Sequence, residues 1–87
     1  MAMVVVEKVW DEPVTPDSLM EAAQGLIGCL GLRNARWIRS LIVDGGSRTI
    51  CTFEAPDAES VRQSYREVGG SFTNIWTAEV LELSPER

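Results

Sequence analysis

Residues 35–55 read ARWIRSLIV, DGGS and RTICTFEA, and this stretch decides the fold. The runs 35–43 and 48–55 are rich in β-branched and aromatic residues, which is typical of strands. Between them, the glycines of the DGGS segment tolerate the positive φ angles that a tight connection requires. The stretch therefore predicts two antiparallel strands joined as a hairpin.

A strand and a helix precede the hairpin. The valine-rich run 3–10 predicts a strand that stops at Asp11-Glu12-Pro13. Thr15 can cap a helix, and Pro16 has the fixed φ that suits a first helical position. Apolar residues then recur with helical spacing at Leu19, Ala22, Ala23, Leu26, Ile27 and Leu30. This stripe predicts one helix that ends at Gly31.

A helix and a strand follow the hairpin as well. Asp57 is placed as an N-cap, and Gly69-Gly70 ends the helix that it begins. The apolar stripe of this second helix consists of Val61, Tyr65 and Val68. The run 72–83 alternates loosely between apolar and polar residues and predicts the fourth strand.

The order βαββαβ predicts an α+β fold of ferredoxin-like type. Two right-handed βαβ halves form one antiparallel sheet of strand order 4-1-3-2, with both helices on one face. At 87 residues the chain has room for one core, so residues 1–87 are expected to form a single domain.

Charge and hydropathy narrow the class of partner. The net charge is −5, histidine is absent, and the eight basic residues form no stripe, so nucleic acid is not expected as a partner. No run approaches the roughly 20 apolar residues of a membrane helix. The apolar N-terminus lacks a basic leader, which favours a cytoplasmic protein with reduced cysteines.

The sheet face opposite the helices, here called the open face, is expected to be covered. A half-solvated strand alternates apolar and polar residues. In the second strand both sides are largely apolar: Trp37, Arg39, Leu41 and Val43 are assigned to one, and Ile38, Ser40 and Ile42 to the other. A second copy packed sheet to sheet would cover such a surface, so we expect a homodimer through the open face.

Six residues are candidates for binding a small ligand at that face. Aromatic walls with a few polar anchors are typical of small-molecule sites. The candidates are Glu7, Trp37, Ser40, Glu54, Tyr65 and Trp76. Two alternatives stay open, since core and interface packing explain the aromatic residues equally well, and each glutamate can instead pair with Arg36 or Arg39. If Glu7 and Glu54 flank one cavity, crowding raises their pKa values.

Glu54 and Cys51 are the candidate metal ligands. Without histidine, a zinc or nickel site has to be built from thiolates and carboxylates. The two cysteines match no metal-binding spacing, and core packing is the alternative for Cys51, which also lacks a histidine to activate it as a nucleophile.

Three segments carry a family resemblance: Trp37-Ile38-Arg39-Ser40, the run 51–62 with the sequence CTFEAPDAESVR, and Ile75-Trp76. Together they make the chain resemble a family of short bacterial ferredoxin-like domains of mostly unknown function, which has a nickel-binding branch. The resemblance spans roughly residues 3–83 and implies a ferredoxin-like fold and a dimer. Its matched positions of unassigned role are Ser40, Cys51, Glu54 and Arg62. The nickel-binding branch looks to have a histidine where this chain has Tyr65.

Two functions follow as hypotheses. The first is a small homodimeric binding or accessory protein that holds a small ligand or divalent metal at the open face. The second is a dimeric α/β-barrel type of enzyme, such as a small monooxygenase or cyclase, and it rests on fold analogy alone. The sequence leaves open whether the protein is an enzyme.

Overall fold

The computed structural model describes residues 1–83 of the chain and contains four strands and three helices. In chain order the elements are β1 (Ala2–Val9), α1 (Pro16–Ala22), α2 (Gln24–Leu32), β2 (Arg36–Val43), β3 (Arg48–Ala55), α3 (Ala58–Glu67) and β4 (Asn74–Ala78). The sheet is antiparallel with order β2-β3-β1-β4. The predicted fold class and strand order are confirmed.

The first predicted helix is divided into α1 and α2 at Ala23. The Ala23 N–H donates to two carbonyl oxygens, those of Leu19 at 3.1 Å and Met20 at 3.2 Å. Such a shared bond tightens the turn locally, and helical hydrogen bonding resumes with Ile27 N–H donating to the Ala23 carbonyl. The apolar stripe is thus kept across the break, with Leu19, Ala23, Leu26 and Leu30 all buried.

The β2–β3 connection has the backbone that its glycines predict. Asp44, Gly45 and Gly46 have φ angles of 53°, 69° and 102°. The Val14 N–H donates to the Gly46 carbonyl oxygen at 2.9 Å, so the segment leading into α1 is docked against this turn. The turn therefore helps to position α1 over the sheet.

Strand β4 is shorter than the predicted run 72–83. It pairs with β1 as far as Ala78, which lies opposite Met3, while β1 itself begins at Ala2. Residues 79–83 have no strand left to pair with and are not part of the sheet. The loose alternation in the sequence could not reveal where the partner strand ends.

The core lies between the sheet and the helices. Strand β3 alternates strictly, and Thr49, Cys51, Phe53 and Ala55 face the helices. They pack with Val4 and Val6 of β1 and with buried residues of α2 and α3, namely Leu26, Leu30, Val61 and Tyr65. No helix within residues 1–83 is long and apolar enough to cross a bilayer.

A β-bulge changes the predicted facing of Trp37. Trp37 lies opposite Phe53 and Arg39 lies opposite Thr52, so Ile38 is an extra residue in β2. The bulge puts Trp37 on the helix side with Ser40 and leaves Arg39 on the open face. The predicted grouping of Trp37 with Arg39 is wrong, because uninterrupted alternation does not hold across a bulge.

The N-cap of α3 offers a first test, the substitution Asp57→Ala. Asp57 accepts hydrogen bonds from the Ser60 hydroxyl and the Ser60 N–H, each at 2.8 Å, and these bonds hold its pKa below the usual 3.8. The stabilisation is present above that usual value and is lost as the pH falls through the folded-state pKa. We expect Asp57→Ala to lower the Tm by a few degrees at pH 7.

Thermal melts from pH 7 down to pH 2 measure this effect. Asp57→Asn is the matched control, since it keeps a capping oxygen without the titrating charge. The Tm difference between wild type and Asp57→Ala should narrow at the lowest pH. A difference that stays constant over the whole pH range contradicts the assignment.

Candidate functional site

The structure separates the predicted ligand residues onto two faces of the sheet. Glu7, Glu54 and Trp76 lie on the open face, as the pairings of β1, β3 and β4 require. Trp37, Ser40, Tyr65 and the predicted metal ligand Cys51 lie on the helix side. One cavity cannot include all six predicted ligand residues of a single subunit.

The two carboxylates do not form a pair on the open face. Glu54 lies opposite Met3 on β1, four positions from Glu7, which corresponds to roughly 13 Å along the strand. Glu54 instead binds Arg36, with the Arg36 Nη2 at 2.7 Å from Glu54 Oε1. The expectation that the two glutamates flank one cavity is therefore wrong, and the alternative of ion pairs describes them.

Glu7 is held in its ionised form. Its carboxylate accepts hydrogen bonds from Asn74 Nδ2 at 2.8 Å and from Arg48 Nε at 2.7 Å. First the Asn74 hydrogen bond and then the Arg48 bond hold the pKa of Glu7 below its usual value. The predicted rise in pKa is absent because the neighbour of this carboxylate is a cation rather than a second carboxylate.

Glu54 and Cys51 face opposite sides of β3. Cys51 is buried in the core, whereas Glu54 is partly exposed beside Arg36. They cannot reach one ion within a single subunit. No group of three or more acidic, cysteine or histidine side chains within residues 1–83 is arranged to hold a metal ion. The described residues of one subunit therefore do not fit a nickel site.

The helix side of the sheet contains a cavity of about 120 Å³, here called the chamber. It is bounded by β1, β2, β3, α1, α2 and the end of α3, with Val6, Thr49, Cys51 and Tyr65 forming its buried part. Its lining also includes Lys8, Trp10, Trp37 and Val68. Lys8 and Trp10 remain partly accessible and Val68 is exposed, so these residues form the mouth.

Hydrogen bonds fix the aromatic walls of the chamber. Trp37 Nε1 donates to Ser40 Oγ at 2.8 Å, and Ser40 Oγ donates to Cys51 Sγ at 3.0 Å. On the opposite side, Trp10 Nε1 donates to Thr49 Oγ1 at 2.9 Å. Each indole N–H therefore has a partner, and the rings are held in place as apolar walls.

The acidic groups of the chamber are kept protonated. Burial raises the pKa of the Cys51 thiol, although its hydrogen bonds with Ser40 and Thr49 oppose the rise. Burial, and then the nearby Cys51, raise the pKa of Tyr65 well above its usual 10. At neutral pH both groups are neutral, so neither supplies a nucleophile or a general base.

A larger outer cleft of about 630 Å³ lies between the α1–α2 segment and the edge strand β2. Leu19 and Trp37 line both cavities. The remaining walls of the cleft are mainly apolar, from Met20, Ile27 and Ile42. Leu19 and Trp37 therefore separate the chamber from a wider surface groove.

The family of the chain is shown by sequence comparison. Residues 3–77 match the family described as "Nickel responsive protein SCO4226-like". The chain belongs to this family. The match extends from β1 into β4, so the family region contains every element that bounds the chamber.

A solved structure shares the fold. The crystal structure of SCO4226 from Streptomyces coelicolor A3(2) superposes with a TM-score of 0.80 at 18% identity, covering 93% of this chain and 100% of that one. At this identity the likeness shows the fold alone. No curated protein sequence matches the chain.

Sequence reasoning missed three chamber residues: Lys8, Trp10 and Thr49. Lys8 and Trp10 continue the inward alternation of Val4 and Val6, so their position was available from the pattern once Val4 and Val6 were placed in the core. Trp10 lies one residue beyond β1, where its N–H donates to the Ser47 carbonyl oxygen at 2.8 Å. Thr49 is on the inward side of β3 by the same alternation that buries Cys51 and Phe53, and its hydroxyl accepts the Trp10 indole N–H, a contact that no local pattern encodes.

Proposed function

We propose that the protein is a homodimeric binding protein that holds a small organic molecule in the chamber between its helices and its sheet. The convergence of Trp10, Trp37 and Tyr65 around the chamber supports this most directly. Small-molecule sites are concave, mostly apolar and carry few polar groups. This proposal moves the ligand from the open face to the helix side.

Binding is favoured over turnover by the state of the polar groups. Cys51 and Tyr65 have pKa values raised by burial and are protonated at neutral pH. They can shape a site or donate a hydrogen bond, but they do not abstract a proton. The family is described as nickel responsive; because no nickel donor set comes together within residues 1–83 of one subunit, the proposal rests on an organic ligand.

The open face is proposed as the dimer interface. Val5, Ile50, Leu41 and Trp76 are among its large apolar side chains, and Leu41 and Trp76 are 56% and 43% exposed. The ion pairs Arg36–Glu54 and Arg48–Glu7 lie at opposite ends of the face. Since each end carries both signs of charge, a second copy related by a two-fold axis meets no net repulsion there.

The substitution Leu41→Glu tests the interface. Leu41 lies on the edge strand β2 beside Ile50, and a carboxylate there would lose water when a second copy packs on the face, so we expect dimerisation to weaken by at least about tenfold. Leu32→Glu is the matched control, because Leu32 is 83% exposed on α2. Light scattering during size-exclusion chromatography should give a dimer for wild type and Leu32→Glu and a monomer for Leu41→Glu. A monomeric wild type would refute the dimer.

The substitution Val68→Phe tests the chamber. Val68 lines the mouth, and a larger side chain there should exclude a ring from the space below. Benzamide is the neutral single-ring probe. Its binding is followed in NMR titrations through the chemical shifts of the protein's backbone amides. We expect shifts at residues such as Tyr65 and Thr49 in the wild type, and at least about tenfold weaker binding in Val68→Phe. Val80→Phe, at a 62% exposed position outside the chamber, is the control. Equal binding by all three proteins would exclude the chamber as the site.

A further inference from the structure

One positively charged side chain, that of Lys8, lines the chamber of this acidic protein. Lys8 is the only lysine of the chain, which has a net charge of −5. Among the residues that line the chamber, Lys8 alone carries a formal charge at neutral pH. We propose that the chamber binds a single-ring aromatic anion such as an aromatic carboxylate, with its ring between the aromatic walls and its carboxylate at Lys8. This inference rests on the proposed function and names the ligand class of the same site.

The Lys8 ammonium is held at the mouth without an acidic partner among residues 1–83. Its Nζ lies 4.2 Å from the centre of the Trp10 ring, and it forms no ion pair with any group in residues 1–83. The neighbouring carboxylate, Glu7, points to the open face and is engaged by Arg48 and Asn74. The cation–π contact fixes the ammonium without neutralising it, so its charge remains available to an incoming anion.

The shape of the chamber sets the size of the ligand. A dry apolar cavity of about 150 Å³ is large enough to bind benzene. The chamber, at about 120 Å³, is somewhat smaller and opens at its mouth, so it holds at most one aromatic ring, with the substituent outside the enclosed part. Trp10 is fixed by its bond to Thr49, and Trp37 by its bond to Ser40, so the ring would enter a preformed slot.

A carboxylate is favoured as the substituent because it would lie where Lys8 and the solvent meet. Deeper in the chamber, the thiol of Cys51 and the ring of Tyr65 offer no charge. Burying a carboxylate among them would be unfavourable, whereas placing it at the partly exposed ammonium satisfies it. The ring and the charge of the ligand thus match two separate parts of the site.

Benzoate and benzamide test the inference, since they have nearly the same shape and differ in charge. We expect the wild-type protein to bind benzoate at least about fivefold more tightly than benzamide at low ionic strength, with the ratio falling as salt is added. Lys8→Met keeps the length of the side chain and should reduce the ratio to about one. Arg66→Met removes an equal charge from an exposed position on α3, outside both cavities and the open face, and should leave the ratio unchanged.

The single lysine also provides a direct probe. After reductive methylation with ¹³C-formaldehyde, Lys8 gives the only lysine methyl signal, and benzoate should shift it while benzamide leaves it nearly unchanged. Equal affinity for both probes, or an unchanged ratio in Lys8→Met, would overturn the inference and leave the chamber as a site for neutral rings. If neither probe binds the wild type, the proposed function itself fails.

Discussion

Phe53→Ala is expected to lower the free energy of unfolding by about 3–5 kcal/mol. Phe53 is fully buried on the helix side of β3, a strand that pairs on both edges. Its ring stacks on Trp37 with a centroid distance of 6.2 Å and meets Tyr65 edge-on at 6.3 Å. Removing it deletes apolar contacts on both sides and leaves a cavity in the middle of the core. Because a domain of this size is stable by only about 5–10 kcal/mol, a large share of its stability would be lost.

Urea denaturation followed by far-UV circular dichroism measures this effect. Phe53→Leu keeps most of the side-chain volume that alanine removes, so it should lower the free energy of unfolding distinctly less than Phe53→Ala does. Leu32→Ala removes a side chain that is already exposed and should change the free energy of unfolding by less than about 0.5 kcal/mol. A loss below about 1 kcal/mol in Phe53→Ala would contradict the placement of this ring in the core.

Gly46→Ala is expected to lower the free energy of unfolding by about 3 kcal/mol or more. A Cβ atom at Gly46 would lie 2.2 Å from the carbonyl oxygen and 2.8 Å from the nitrogen of Val14, and its φ of 102° is itself unfavourable for alanine. Both contacts are with backbone, so no side-chain rotation relieves them. The Val14 N–H donates to the Gly46 carbonyl, and that bond would be distorted together with the approach of the chain to α1.

Gly45→Ala separates backbone strain from steric clash in the same turn. Gly45 has a φ of 69°, but a Cβ there meets no atom within 4 Å. Its expected loss is therefore about 1 kcal/mol, the typical penalty for a left-handed alanine. Chemical denaturation of both variants gives the comparison. Equal losses at the two positions would show that the contact with Val14 does not matter.

The outline of the fold could be predicted because it is encoded in short segments. The DGGS turn and the N-caps Thr15 and Asp57 fix local conformations through contacts between near neighbours, and the β-branched and aromatic residues of β3 favour an extended conformation. Once these elements are placed, the right-handed connections allow few sheet orders, and the observed one is among them. For that reason the ferredoxin-like topology followed from one sequence.

The candidate site was predicted only in part. Trp37, Ser40, Tyr65 and Cys51 were singled out, yet they were expected at the open face or, for Cys51, at a metal. The extra residue in β2 reverses the facing of Trp37, and a bulge leaves no trace in the composition of the strand. Glu7 and Glu54 were identified as facing the open side, but their distance along the sheet depends on register and not on their residue type.

What the sequence determined by itself is the βαββαβ order of strands and helical segments and the acidic character of the chain. Only the tertiary structure decided which residues meet: Trp10 with Thr49, Trp37 with Ser40 and Cys51, and Lys8 over the Trp10 ring at the mouth of the chamber. The physical reason is the sequence separation between the residues that interact. Caps, turns and periodicity act between residues a few positions apart, whereas the chamber is formed by side chains from six elements whose contacts depend on register and packing.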